Sequence, residues 1–211
     1  KTYLAFAETG QKTSINTKKA IEQFKYALQN NSSLKSEDEA AWQLIKITLN
    51  ADTVSLAKEK TYLETLITKY PESQYKQLWY QNLAYRLSYD SLYLKQSLSY
   101  FKVLIDGFKD SEYYSDYLFG AAQLYSNTAD NGKALDYYKL VASEYPYTNS
   151  APASLFEVAM DYESKGKFVE AEQLYKQLIQ RYYYSSYAEE AELKLGAVMV
   201  RAGKYDEAIK Y

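Results

Sequence analysis

The sequence predicts an all-α solenoid of about five and a half helical hairpins, and three observations carry that prediction. The chain is self-similar at a step of 37 residues: Tyr100-Phe101-Lys102-Val103-Leu104 returns as Tyr137-Tyr138-Lys139-Leu140-Val141, and Ala134, Ala171 and Ala208 share one register. Each unit holds two apolar sets at helical spacing with a short break between them, as in residues 156–164, 165–167 and 168–181. Small residues and large aromatics recur at fixed places, which suits helices that approach closely at one point and leave wider gaps at another.

The hairpins fall near residues 1–37, 38–75, 76–114, 115–151 and 152–188, with a partial sixth at 189–211, all in one repeat domain. Ala20-x3-Phe24-x2-Ala27 marks the second helix of the first unit, after a long connection over residues 9–19. Trp42-x2-Ile45 and Leu49, followed by Pro71, define the next. Glu59 and Ser97 stand near places where a helix-packing Ala is expected, so the early units depart from the pattern. The later units keep it: Leu118, Ala121, Ala122 and Tyr125 step onto Leu155, Val158, Ala159 and Tyr162, then onto Glu192, Leu195, Gly196 and Met199. Units end on Tyr70-Pro71-Glu72-Ser73, Phe108-Lys109-Asp110-Ser111, Tyr145-Pro146-Tyr147-Thr148 and Tyr182-Tyr183-Tyr184-Ser185. There the aromatic is expected to pack under the next hairpin, Pro to end a helix, and Ser or Thr to cap the following one. Pro152 suits a first helical turn.

The series Leu118-x2-Ala121-Ala122-x2-Tyr125, Ala134-x3-Tyr138 and Pro146, with Leu155-x2-Val158-Ala159-x2-Tyr162 and Ala171-x3-Tyr175, resembles the tetratricopeptide repeat, whose pattern is Trp-x2-Leu-Gly-x2-Tyr, Ala-x3-Phe and Pro. The resemblance covers nearly the whole chain and implies a right-handed solenoid whose first helices line a concave binding face. The aromatic-Pro-x-Ser punctuation, with Tyr-Ala-Glu-Glu-Ala at 187–191, is similar to envelope-associated bacterial repeats of the BamD and YbgF type. That similarity implies a periplasmic or envelope-associated protein, with the cytoplasm as the alternative. The chain begins at Lys1 without an initiator Met and stops at Tyr211 inside a repeat, so a longer parent protein is expected.

Composition narrows the chemistry. With no Cys and no His, a thiol nucleophile, a Ser-His-Asp triad and the common zinc sites are unavailable. The chain is expected to be a non-enzyme without cofactor or metal. Ser55-x2-Lys58 and Ser164-x2-Lys167 lack the companion motifs of Ser/Lys enzymes, and Gly166-Lys167 lacks the rest of a phosphate loop. Glu157 with Asp161, and Glu189, Glu190 and Glu192, read as solvated helix surface rather than a cation site. Asn30 and Asn31 satisfy glycosylation sequons. A formal net charge of -2, without a strongly basic segment, argues against nucleic acid, and charges interrupt every long apolar stretch, so no membrane span is expected.

Function then rests on surfaces. On the resemblance, the groove-facing residues are Gln43, Ile47, Gln81, Asn82, Tyr85, Phe119, Gln123, Phe156 and Met160, then Leu193, Ala197 and Arg201. An aromatic and amide surface suits an extended peptide or a helix, with apolar side chains in pockets and amides bonded to its backbone. The plainer alternative is that Phe119 and Phe156 only complete the core. Some proteins of this kind clamp a C-terminal carboxylate with Lys and Asn; the matching places here hold Gln43, Gln81, Phe119 and Phe156, so an acidic C-terminus is not the expected ligand. The expected function is a scaffold for a protein or peptide partner in a bacterial envelope complex. The clusters Tyr113, Tyr114, Tyr117 and Tyr182, Tyr183, Tyr184, Tyr187 keep two further readings open: a platform for glycan or small ligand, and, with the terminal repeats, self-association.

Overall fold

The structure, a computed structural model, describes residues 34–49 and 55–209, with side chains over 37–46 and 55–209. Regular structure among the described residues is entirely helical: α1 (Leu34–Leu49), α2 (Leu56–Lys69), α3 (Lys76–Leu87), α4 (Leu94–Gly107), α5 (Tyr114–Asn127), α6 (Asn131–Glu144), α7 (Ala151–Ser164), α8 (Phe168–Arg181), α9 (Ser186–Arg201) and the short α10 (Tyr205–Ala208). These pair in sequence as α1 with α2, α3 with α4, and so on to α9 with α10. The 1–37 hairpin expected from Ala20, Phe24 and Ala27, and the sequons at Asn30 and Asn31, lie outside the described side chains.

Helix ends follow from local chemistry. After α2, α6 and α8 the chain leaves through Tyr70, Tyr145 and Tyr182, whose backbone N–H groups donate to the carbonyls of Leu66, Val141 and Leu178 at 2.8, 3.0 and 2.8 Å. Ser185 caps α9, its Oγ accepting from Tyr187 N–H at 3.2 Å. Ser73 and Ser111 do not cap directly: their hydroxyls accept from the N–H of Tyr75 and Tyr113, shaping the turns that lead into α3 and α5. Thr148 departs from expectation, since its hydroxyl donates back to the Tyr145 carbonyl at 2.8 Å. Pro152 does sit in the first turn of α7, where its missing N–H costs nothing.

The helices form two compact units that part within α4, one up to Tyr100 and one from Phe101. In the first, Trp42, Leu63, Leu66, Tyr70, Trp79, Leu83 and Leu87 form the core. Here the two departures from the alanine pattern find their explanation. Glu59, 4% exposed, receives the Arg86 guanidinium through Nε at 3.1 Å to both carboxylate oxygens and through Nη2 at 2.9 Å. Ser97 is fully buried and donates to the Ala84 carbonyl at 2.6 Å. A polar side chain is thus accepted at a tight helix crossing because a neighbouring helix, α3 in both cases, supplies its partner.

In the second unit Ala151, Leu155, Phe156, Ala159, Ala171, Tyr175, Leu178, Ala188, Ala191, Leu195 and Val198 form the core. Ala122, Ala134, Ala159 and Ala171 are buried, as the close approach of paired helices requires. Ala208 is only half-buried. Phe101 of α4 lies over Gly120 of α5 so closely that a Cβ there would meet its ring at 2.5 Å.

Candidate partner-binding face

The expected binding residues fall on both units, and each unit is described by itself. In the first, α3 carries Gln81, Asn82 and Tyr85, all half-buried, beside the fully buried Trp79. Asn82 Nδ2 donates to the Leu78 carbonyl of its own helix at 2.7 Å. Gln43 on α1 is half-buried, and its Oε1 is enclosed without a hydrogen-bond partner. Ile47 belongs to α1, but its side chain lies outside the described residues. A depression of about 570 Å³ in this unit is bordered by Asp38 and the turn at residues 69–74, and by none of the candidate residues whose side chains are described.

In the second unit the candidates separate. Phe119 on α5 is half-buried and leans on Tyr138 of α6, ring centroids 5.8 Å apart, while Gln123 one turn later is exposed. Met160 on α7 is half-buried and, with Tyr138, lines a cleft of about 200 Å³. Ser126 at the end of α5, Asn131, Ala134 and Leu135 of α6, and Glu157, Asp161 and Ser164 of α7 complete it. Arg201 reaches from α9 to Glu163 at 3.1 Å, and Glu163 also accepts from the Tyr175 hydroxyl at 3.0 Å. Leu193 stands 73% exposed on α9.

Phe156 requires a correction. Expected on the binding face, it is 5% exposed, its ring held between Tyr175 at 5.8 Å and Tyr187 at 5.6 Å. One repeat earlier Phe119 has the counterpart of Tyr175, which is Tyr138, but the residue 37 places before Tyr187 is Ser150. A phenol closes over one phenylalanine and a small hydroxyl stands at the matching place for the other. Comparing residues 150 and 187 is the sequence signal that separates the two.

Electrostatics mark the same cleft. The Glu157 carboxyl is pushed above the usual range by burial and by the charge of Glu190. The Tyr138 phenol is likewise raised, by burial and then by Glu157. Asp161 is held by Lys165 at 2.7 Å. No group of three or more acidic side chains among the described residues is gathered as metal ligands would be. Among the described residues, no helix is long and apolar enough to cross a membrane.

The tyrosine clusters also divide. Tyr117 and Tyr182 are buried, Tyr182 donating to the Pro146 carbonyl at 2.8 Å, and Tyr114 packs on Tyr145. Tyr147, Tyr183 and Tyr184 are 92%, 79% and 71% exposed, with the Arg181 guanidinium 5.0 Å from the Tyr147 ring.

No family model and no curated protein matches this chain. Solved structures do. A tetratricopeptide repeat protein from Parabacteroides merdae superposes with a TM-score of 0.62 at 12% identity, over 99% of this chain and 74% of that one. BtubC from P. vanneervenii gives 0.62 at 11% identity over 93% and 85% of the two chains. PilW, described as a widely conserved type IV pilus biogenesis factor, gives 0.57 at 14% identity over 99% and 88%. With the paired helices, the buried alanines and the 37-residue register, these likenesses give the chain the helical-hairpin fold of the tetratricopeptide repeat proteins.

Proposed function

We propose that this protein is a non-enzymatic scaffold that holds a segment of a protein partner along the first helices of its hairpins, within a bacterial envelope complex. The observation that carries the reading is the partly open cleft in which Met160 stands beside hydrogen-bonding side chains over the buried Tyr138, with the half-buried Phe119 packed on the Tyr138 ring next to it. Burial of aromatic and aliphatic side chains supplies affinity in such a site, and the surrounding amides and carboxylates orient the bound backbone. Tyr85, Gln81 and Asn82 offer the same mixture on the first unit. The envelope assignment, with the periplasm as the compartment, rests on the aromatic-Pro-x-Ser punctuation and on the structural likeness to PilW.

The test is capture of partners from lysate of the source cells by the immobilised chain and by a Phe119→Ala, Met160→Ala variant of unchanged helicity. The expected result is loss of a partner in the variant. Identical capture by both would overturn the binding face proposed here. The exposed Tyr147, Tyr183 and Tyr184 favour a second reading, a stacking platform for an envelope glycan, which predicts that their alanine variants lose affinity for cell-wall polysaccharide.

A further inference from the structure

The depression of about 570 Å³ in the first unit has the size and the lining of a small-molecule site. The Tyr70 ring and Pro71 give it apolar wall, and three polar groups around it lack a complement. Asp38, 7% exposed, accepts from the Glu39 N–H at 2.8 Å and the Ser73 hydroxyl at 2.5 Å, but no cation pairs with its carboxylate among the described residues. Tyr70 is 6% exposed, and its hydroxyl is enclosed without a hydrogen-bond partner. Lys69 is exposed, with Nζ 5.0 Å from the centre of the Tyr70 ring, and joins no carboxylate among the described residues. The phenol holds that ammonium above its usual pKa, yet an ammonium only donates, so the phenol's own proton still has no acceptor. Tyr182, which follows α8 as Tyr70 follows α2, gives its proton to the Pro146 carbonyl at 2.8 Å.

We propose that this depression binds a small zwitterion of the α-amino acid class, with its ammonium at Asp38, its carboxylate between Lys69 and the Tyr70 hydroxyl, and its side chain on the Tyr70 ring and Pro71. A buried carboxylate without a cation and an enclosed phenol without an acceptor each cost free energy in the free protein, and one zwitterion relieves both. A simple amine leaves the Tyr70 proton unaccepted and meets the charge of Lys69, while a simple acid leaves Asp38 unpaired and meets its charge and that of Glu72. The site shares no residue with the partner-binding face and goes beyond the scaffold reading.

The test titrates the whole chain with the common L-amino acids by ligand-observed NMR, then compares the tightest by calorimetry with the amine and the carboxylic acid that carry the same side chain. The expected result is a zwitterion bound about ten-fold or more tightly than either analogue, since each analogue loses one charge-assisted contact. Asp38→Asn, which keeps an oxygen for the Ser73 hydroxyl, and Lys69→Gln, at an exposed position, should each weaken it about ten-fold at unchanged helicity. Tyr70→Phe should weaken binding yet melt no lower than wild type, because the hydroxyl it removes is unbonded in the free protein. A Tyr70 that only packs would leave the affinity as it is. No amino acid bound at millimolar concentration, an analogue bound as tightly as the zwitterion, or unchanged affinity in any of the three variants would overturn the proposal.

Discussion

Ala129 and Gly166 hold the same left-handed backbone conformation, at φ 62° and 72°, one 37-residue repeat apart, and Gly203 repeats it at 77°. At each place the chain turns from the first helix of a hairpin into the second, and the following N–H reaches back to close the turn: Asp130 to the Tyr125 carbonyl, Lys167 to Tyr162 and Lys204 to Met199, at 2.9, 2.9 and 2.8 Å. Ala129 adopts with a Cβ what the other two adopt without one. Ala129→Gly is therefore expected to raise stability by about 0.5–1 kcal/mol, and Gly166→Ala, where a Cβ meets nothing within 4 Å, to lower it by about 1 kcal/mol through backbone conformation alone. Urea unfolding midpoints of the two variants check both signs.

A second glycine acts through space. At Gly120 an added methyl would lie 2.5 Å from the ring of Phe101, which is 1% exposed and has nowhere to move. Gly120→Ala should cost about 1–3 kcal/mol by overpacking, whereas Gly132→Ala, in the open first turn of α6, should be neutral or stabilising. Equal thermal midpoints for the two would contradict the packing of α4 on α5.

The two phenylalanines one repeat apart should behave differently. Phe156→Ala empties a core position and is expected to cost about 3–5 kcal/mol, while Phe119→Ala, at a half-exposed ring, should cost clearly less and act on partner binding. Thermal denaturation of both variants, followed by far-ultraviolet circular dichroism, decides this. Phe119→Ala unfolding as readily as Phe156→Ala would return Phe119 to the core.

Glu172 provides a pH-dependent test. Its side chain is 6% exposed and bonds Lys176 at 2.7 Å and Lys204 at 2.9 Å, and these two ammonium groups hold its carboxyl below the usual value of 4.5. Since the folded state binds this proton more weakly than the unfolded state, the stabilisation is complete above about pH 4.5 and is lost as pH falls toward the lowered folded value. Both lysines are substantially exposed, which reduces the contribution to about 1 kcal/mol. Glu172→Gln should then be destabilised relative to wild type at pH 7, with the gap closing in acid. A gap that persists at pH 3 would show that Glu172 acts by packing instead.

Ala171 tests the register inferred from the repeat. It is fully buried where α7 and α8 approach, so Ala171→Leu should lower stability by about 1–3 kcal/mol. An unchanged melting temperature would mean that the small residues at 134, 171 and 208 are not packing positions.

The sequence by itself determined the repeat, because stacking identical hairpins demands the same small and large residues at a constant step. Ala134 and Ala171, the breaks at residues 165–167 and the aromatic ends at Tyr70, Tyr145 and Tyr182 could all be read from spacing. Tertiary structure decided what each deviation meant. Glu59 and Ser97 looked like flaws in the pattern and are satisfied by Arg86 and the Ala84 carbonyl, partners that lie 27 and 13 residues away and carry no periodic signal. It also decided which aromatic is covered. Phe119 and Phe156 occupy one repeat position, and whether such a ring is covered depends on a side chain contributed by another helix: Tyr187 closes over Phe156, and the corresponding residue for Phe119 is Ser150. Periodicity reports the average neighbour of a position, whereas burial and charge at any one position depend on the particular neighbours that tertiary packing brings to it.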